Sequence, residues 1–136
     1  MIVADANLVL YLLVPGERTE AAEAVYQRDP AWAAPPLCLS EVRNVLLRYV
    51  RAGSFSLAAA AAMVERADQL LGPYRLEVGS AAVLRVAHAA DLSAYDAEYL
   101  ALAEALEVTL VTEDRAILAA AGPVAMTPAE FLTSPK

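Results

Sequence analysis

The sequence predicts an α/β protein, a three-layer α/β/α sandwich with a mainly parallel central sheet. Two observations lead to this prediction: short apolar runs typical of buried strands recur along the chain, and helical patterns separate them. The chain has 136 residues, 59% of them hydrophobic, and its glycines and prolines are scattered. We therefore expect one domain over residues 1–136, with a single core.

Five segments have the β-favouring, apolar character of buried strands. The first covers residues 1–4 and ends at Asp5, and the clearest covers residues 108–111, shortly before Asp114. The other three are residues 31–34, 75–78 and 124–126. Parallel sheets bind ligands at the carboxyl ends of their strands, so we expect the functional site near Asp5 and Asp114.

Capping residues and helix breakers mark the predicted helices. Ser56 caps one helix and Ser80 opens another, while Thr127-Pro128-Ala129-Glu130 is a capping box before a short final helix. The remaining spans are residues 8–14, 17–29, 36–52, 57–71, 81–90, 96–106 and 113–121. In helix 36–52 an apolar stripe is formed by Leu39, Val42, Leu46, Tyr49 and Val50.

Charge and cysteine content restrict the possible functions. The formal net charge of −7 argues against an extended basic surface for nucleic acid, although carboxylates gathered around a cation present a different local field. The single Cys38 excludes an internal disulfide, fits a reducing cytosol and is interpreted as a small buried hydrophobe. Without a signal-peptide pattern or an apolar run of about 20 residues, we expect a cytoplasmic protein with no membrane segment.

Four carboxylates stand at or near a strand end or a helix start, several of them beside strongly apolar sequence: Asp5, Glu41, Asp96 and Asp114. Taken singly, each could be an ordinary helix-capping or solvated acid. Taken together, they predict a shared site, because buried carboxylates repel one another unless a cation neutralises them. Oxygen-only ligation is what Mg²⁺ or Mn²⁺ prefers.

The sequence lacks the residues that other common catalytic sites require. The only histidine, His88, is expected on a helix surface, which argues against a zinc site or a Ser/His/Asp triad, and the five glycines form no phosphate loop. A haloacid-dehalogenase-like phosphatase also begins with a strand ending in Asp. It needs a second Asp where Asn7 stands and a lysine, and the only lysine is Lys136. A receiver-type domain also requires such a lysine and is therefore disfavoured.

Four motifs, in the right order, resemble those of PIN domains, most closely VapC-type toxins of bacterial and archaeal toxin–antitoxin pairs. The first motif is an apolar strand that ends in Asp5, with Asn7 two residues later. The third and fourth motifs together are the most specific to the family. The motifs occupy residues 2–7 (IVADAN), 39–46 (LSEVRNVL), 92–103 (LSAYDAEYLALA) and 110–118 (LVTEDRAIL).

The resemblance implies a Mg²⁺- or Mn²⁺-dependent endoribonuclease, usually a homodimer, that a cognate antitoxin neutralises. It assigns metal binding to Asp5, Glu41, Asp96 and Asp114. It also makes Asn7 and Thr112 similar to residues that orient those carboxylates. Many relatives carry another acid shortly after the fourth motif's Asp, whereas Arg115, Ala116 and Ile117 follow here. Either four acids suffice or Glu98 or Glu113 contributes, and a second metal is in question.

The expected reaction is metal-assisted phosphodiester hydrolysis, which needs no protein nucleophile. Arg48 and Arg51 share a helical stripe with Glu41 and are possible RNA contacts, as is Arg115. The stripe could equally be a solvated face or an intersubunit contact.

A catalytically degenerate PIN-like binding module is the alternative to an enzyme, and the presence of all four acids favours the enzyme. We expect a homodimer to which residues 53–71 contribute. We also expect a small antitoxin whose tail covers the acidic cluster. The RNA target is not readable from the sequence.

Overall fold

The fold is given by a computed structural model, which describes residues 1–135. Four strands follow the chain as β1 (Ile2–Ala4), β2 (Trp32–Ala33), β3 (Thr109–Val111) and β4 (Ala125–Met126). The helices are α1 (Ala6–Leu13), α2 (Thr19–Arg28), α3 (Leu37–Arg51), α4 (Leu57–Leu71), α5 (Ser80–Ala90), α6 (Ala94–Leu106), α7 (Arg115–Ala121) and α8 (Pro128–Thr133). None of the helices in this part of the chain is long and apolar enough to cross a membrane.

The strands form one parallel sheet in the order β2-β1-β3-β4. Ala4 of β1 lies opposite Val111 of β3, which in turn lies opposite Met126 of β4. Every residue of β1 is buried, although successive side chains of a strand point to opposite faces. Helices therefore cover both faces of the sheet, and the predicted three-layer α/β/α architecture is confirmed.

The prediction of a strand at residues 75–78 is wrong. Arg75 makes only an isolated parallel bridge with Ala34, supported by the bonds Ala34 N to Tyr74 O (3.1 Å) and Leu76 N to Ala34 O (3.0 Å). Beyond Leu76 the segment leaves the sheet edge, and the side chain of Glu77 is exposed. A 3₁₀ turn at Gly72–Tyr74 delivers the chain only to the end of β2, so pairing stops after one residue.

The predicted starts of α1, α2, α3, α5, α6 and α7 each shift by one or two residues. Helix α6 begins at Ala94 rather than Asp96, since the Ser93 hydroxyl accepts the Asp96 amide (3.0 Å). Helix α7 begins at Arg115, with Asp114 as its cap. Helix α5 begins at Ser80 itself, whose side chain makes no capping bond. The predicted span of α4, with Ser56 as its cap, is confirmed.

The core forms around the sheet and the helix faces that cover it. Trp32 of β2, Cys38 of α3 and Tyr99 of α6 are fully or almost fully buried. Tyr49 was predicted on the buried stripe of α3, and this is wrong: its side chain is 42% exposed. The last turn of α3 runs past the core, and there Tyr49 stacks on Phe55 instead.

Candidate active site

The ends of β1 and β3 bring Asp5 and Thr112 together. Because Ala4 and Val111 are paired, the next residue of each strand leaves the same edge of the sheet. There the Thr112 hydroxyl donates a hydrogen bond of 2.6 Å to Asp5 Oδ2. Asp5 is only 7% exposed and makes no side-chain capping bond to α1, so its carboxylate is held by Thr112 instead.

Thr112 also positions Asp114. Its Oγ1 accepts a hydrogen bond from the Asp114 amide (3.0 Å), and Asp114 Oδ1 accepts one from the Ile117 amide (3.0 Å). Asp114 therefore does cap α7, which was the ordinary alternative for this residue. The cap uses Oδ1 and leaves Oδ2 available, and the Asp114 charge is near enough to raise the pKa of Asp5.

Glu41 reaches the site from the second turn of α3. It is half-buried, and its Oε1 accepts a hydrogen bond of 2.5 Å from the hydroxyl of Tyr99 on α6. Burial raises the pKa of Glu41, the Tyr99 hydrogen bond opposes that rise, and the charges of Asp5 and Asp96 add to it. The charge of Asp5 therefore acts on the pKa of Glu41, although the two residues belong to different elements.

Asp96 sits in the first turn of α6, a helix that packs against β1 and β3. Burial raises its pKa, the charge of Asp114 raises it further, and the hydrogen bond with Ser93 opposes both effects. Burial is likewise the main cause of the raised pKa of Asp5, to which the charges of Asp114 and Asp96 add. The fold thus brings Asp5 within electrostatic reach of Asp96 and Asp114, and Glu41 within reach of Asp5 and Asp96.

The donor chemistry of this cluster fits a hard divalent cation. All four groups are carboxylates, and a cation between them would relieve both the burial of charge and the mutual repulsion. Within residues 1–135, no three Asp, Glu, His or Cys side chains lie close enough together, as placed, to hold a metal ion. The ligand oxygens would therefore have to approach one another when the cation binds.

Comparison with known proteins identifies the family of the chain. The family model described as PIN domain matches residues 2–123, which is nearly the whole chain and includes the positions of all four acids. The chain belongs to the PIN-domain family. It is 34% identical over 131 residues to Ribonuclease VapC3 from Pyrobaculum aerophilum, an alignment that covers 93% of this chain and 98% of that one. The resemblance to PIN domains of the VapC type is therefore confirmed, which sets aside the phosphatase and receiver alternatives.

A solved structure supports the PIN fold independently. The chain superposes on the crystal structure of PAE2754 from Pyrobaculum aerophilum with a TM-score of 0.76. The two are 26% identical, and the match covers 96% of this chain and 85% of that one. The parallel sheet that places Asp5 beside Thr112 is therefore shared with an experimentally determined fold.

The other acids near the PIN-domain site differ in their availability. Glu113 is engaged in an ion pair with Arg18, so its carboxylate is already neutralised. Glu98 is partly buried, and its charge adds to the raised pKa of Glu41. Of the two candidates for a fifth acid, Glu98 is therefore the one within electrostatic reach of the cluster.

The other residues predicted for the site, one asparagine and three arginines, do not contact the four carboxylates through side-chain hydrogen bonds within residues 1–135. Asn7 is exposed at the start of α1 and makes no side-chain hydrogen bond to the four carboxylates within residues 1–135. Instead it lines a cavity between α1 and α3. Arg48 and Arg51 are exposed on the last turns of α3, and Arg115 is exposed at the start of α7, directly after Asp114.

Tyr99 is the site residue that sequence reasoning missed. It lies three residues after Asp96 on α6 and is 2% exposed, and its hydroxyl is committed to Glu41. A tyrosine inside an apolar helix segment is itself a signal, because a buried hydroxyl requires a hydrogen-bond partner. The identity of that partner, 58 residues away along the chain, was not readable from spacing.

Proposed function

We propose that this PIN domain is a Mg²⁺- or Mn²⁺-dependent endoribonuclease that hydrolyses RNA phosphodiester bonds. The observation that carries the proposal is Asp5, buried at the carboxyl end of β1, with Asp96 and Asp114 close enough to raise its pKa. A cluster of buried carboxylates is costly unless a cation compensates it. The relative named Ribonuclease VapC3 supports the same reaction class.

In this proposal the chain supplies the metal ligands and orients them, and it does not supply a nucleophile. A divalent cation at such a site lowers the pKa of bound water and offsets charge on the phosphoryl oxygens. Asp5, Asp96, Asp114 and Glu41 would hold it. Thr112 fixes Asp5 and Tyr99 fixes Glu41, so two of the four carboxylates are oriented in advance.

The chain's own nucleophilic candidates are unsuited to a covalent route. Cys38 is fully buried, and burial raises the pKa of its thiol to about 12, with the charges of Asp5 and Glu41 contributing. A thiol of that kind stays protonated near neutral pH and is a poor nucleophile. His88, on exposed surface of α5, has no part in the carboxylate cluster.

The proposal is tested by cleavage of a labelled RNA in Mg²⁺ or Mn²⁺. We expect activity in the native chain, loss in EDTA, and loss in Asp5→Asn, Glu41→Gln, Asp96→Asn and Asp114→Asn with the fold intact by circular dichroism. Glu65→Gln is the matched control, because Glu65 is an exposed acid on α4. Unchanged cleavage in EDTA or in Asp5→Asn would refute the assignment.

The biological role we propose is that of the toxin in a type II toxin–antitoxin system, active in the cytoplasm. An RNA-cutting enzyme has to be held inactive, and the acidic cluster offers a means. A partner's Arg or Lys could replace the cation with a charge-assisted contact to the carboxylates. Co-expression with the protein encoded by the neighbouring gene, followed by alanine replacement of that partner's basic residues, tests this. If no basic residue matters for inhibition, the plugging mechanism is wrong.

A further inference from the structure

A cavity of about 300 Å³ opens between α1, the loop that follows α1, and α3. Asn7, two residues after Asp5, lines it together with Tyr11, Val45 and Tyr49. Its volume is at the lower end of the range of about 300–1,000 Å³ found for small-molecule sites. The cavity is therefore large enough for a flat ring system but not for a folded peptide segment.

Tyr49 is the one aromatic side chain of this cavity with a large exposed surface. It is 42% exposed, and its ring stacks on Phe55 with centroids 5.6 Å apart and planes at 27°, which holds the ring in one orientation. Tyr11 is covered instead by the guanidinium of Arg18, 5.4 Å from its centroid. Of the two tyrosines, Tyr49 is therefore the one that could accept a stacked ligand.

The stretch of chain that carries Tyr49 is basic, in contrast to the rest of the sequence, although the exposed acid Glu17 also lines the cavity. Residues 42–64 contain Arg43, Arg48 and Arg51 but no Asp or Glu, although the chain carries 17 acidic residues. All three arginines are exposed, and none forms an ion pair within residues 1–135. Arg48 and Tyr49 together line a second cavity that adjoins the first. An exposed aromatic ring beside an arginine such as Arg48 is the combination that binds single-stranded nucleic acid.

The distance to the acidic cluster suits the same substrate. Tyr49 follows Glu41 by eight residues, which places it about 12 Å farther along α3 at 1.5 Å per residue. That is a separation of only a few nucleotides at about 3.4 Å per stacked base. A base paired in a helix would have to be flipped out to enter the cavity, whereas an unpaired base enters freely.

We propose that the cavity beside Tyr49 binds one unpaired base of a single-stranded RNA, stacked on the Tyr49 ring, while Arg48 contacts an adjacent phosphate. The inference rests on the proposed ribonuclease function and adds a subsite to it. It predicts that the cut lies a few nucleotides from the stacked base.

The test is binding of a fluorescent single-stranded RNA decamer to the full chain in EDTA, where the proposed cleavage is absent. Tyr49→Ala should weaken binding about tenfold, since stacking of one base on an aromatic ring has an effect of this order. Tyr49→Phe should bind like the native chain, and this variant also keeps the packing on Phe55. Tyr74→Ala is the matched control, because Tyr74 is 38% exposed and lies outside the cavity.

A series of decamers with one abasic position each makes the test specific. At one position, removal of the base should weaken binding to the native chain about tenfold, and Tyr49→Ala should then have no further effect. If Tyr49→Ala binds the intact decamer normally, or weakens every abasic decamer equally, the inference is wrong.

Two further outcomes separate this inference from the proposed function. If the native chain cleaves RNA in Mn²⁺ but Tyr49→Ala affects only the capture of a protein partner, the surface docks protein and only this inference fails. If the native chain neither binds nor cleaves RNA, the proposed function fails and the inference fails with it.

Discussion

Thr112 and Asp5 are 107 residues apart in the chain, yet the Thr112 hydroxyl lies 2.6 Å from Asp5 Oδ2. The same hydroxyl oxygen accepts the Asp114 amide, so one buried threonine links two of the four carboxylates. Parallel pairing of β1 with β3 produces this contact, because Asp5 and Thr112 each follow the last residue of their strand.

Thr112→Val keeps the shape of the side chain but removes both hydrogen bonds. Loss of a hydrogen bond to a buried charged group costs about 1–3 kcal/mol, so we expect Tm to fall by several degrees and RNA cleavage to fall with it. Differential scanning calorimetry and the cleavage assay measure the two effects. Thr109→Val on the same strand is the control, and equal behaviour of the two variants would contradict the role given to Thr112.

Tyr99→Phe removes the hydroxyl that fixes Glu41. We expect kcat for RNA cleavage to fall about tenfold with little change in KM, since Glu41 would be poorly oriented while the substrate surface is intact. The affinity for Mn²⁺ should fall as well, which calorimetry can follow without any cleavage. Tyr74→Phe removes an exposed hydroxyl and serves as control. A Tyr99→Phe variant with native kcat and native Mn²⁺ affinity would show that Tyr99 is only a core residue.

The stability of the metal-free chain should depend on pH through Asp5. Its folded pKa is raised above the ordinary value of 3.8, chiefly by burial, so the folded chain holds this proton more tightly than the unfolded chain does. The corresponding stability is fully present below pH 3.8 and is lost as pH rises through the raised pKa. In EDTA, Asp5→Asn should therefore gain Tm relative to the native chain as pH rises from 3.5 to 8.

The matched variant for this titration is Asp91→Asn. Asp91 is an exposed carboxylate at the end of α5, so the substitution controls for the change in net charge. A Tm difference between Asp5→Asn and the native chain that stays constant over this pH range would contradict the burial of a charged carboxylate at Asp5.

We expect the chain to form a two-fold homodimer through residues 53–71. Leu57, at the start of α4 within this segment, is 67% exposed, and Leu84 on α5 is 64% exposed. Leu57→Glu should therefore shift the sedimentation coefficient to that of a monomer, whereas Leu84→Glu should not. A native chain that sediments as a monomer at micromolar concentration would contradict the dimer, and dissociation by Leu84→Glu alone would place the interface elsewhere.

The sequence predicted the architecture well where the local signal was strong. Ser56 and Gly72 enclose α4 as expected, and the apolar runs before Asp5 and Asp114 are strands of one parallel sheet. The segment at residues 75–78 has a strand-like composition, but pairing depends on where the preceding turn delivers the chain. That position is a tertiary property, and no local pattern contains it.

In the candidate site, too, some features could be predicted from local sequence and others depend on tertiary packing. The four acids could be chosen because each stands at a strand end or near a helix start, positions that the pattern of elements reveals. The Tyr99–Glu41 bond and the Arg18–Glu113 ion pair could not be predicted, because each joins two segments that only the packing of helices brings together. The exposure of Tyr49 was missed for a related reason: helical periodicity gives the direction of a side chain but not where the core ends.

The central claim is that Asp5, Glu41, Asp96 and Asp114 form one cation site, and a calorimetric titration of the metal-free chain with Mn²⁺ tests it most directly. We predict saturable binding to the native chain, and loss of at least tenfold in affinity in each of Asp5→Asn, Glu41→Gln, Asp96→Asn and Asp114→Asn. Glu65→Gln should bind like the native chain. Native affinity in the Asp5→Asn variant, or no binding of Mn²⁺ to the native chain, would contradict the account.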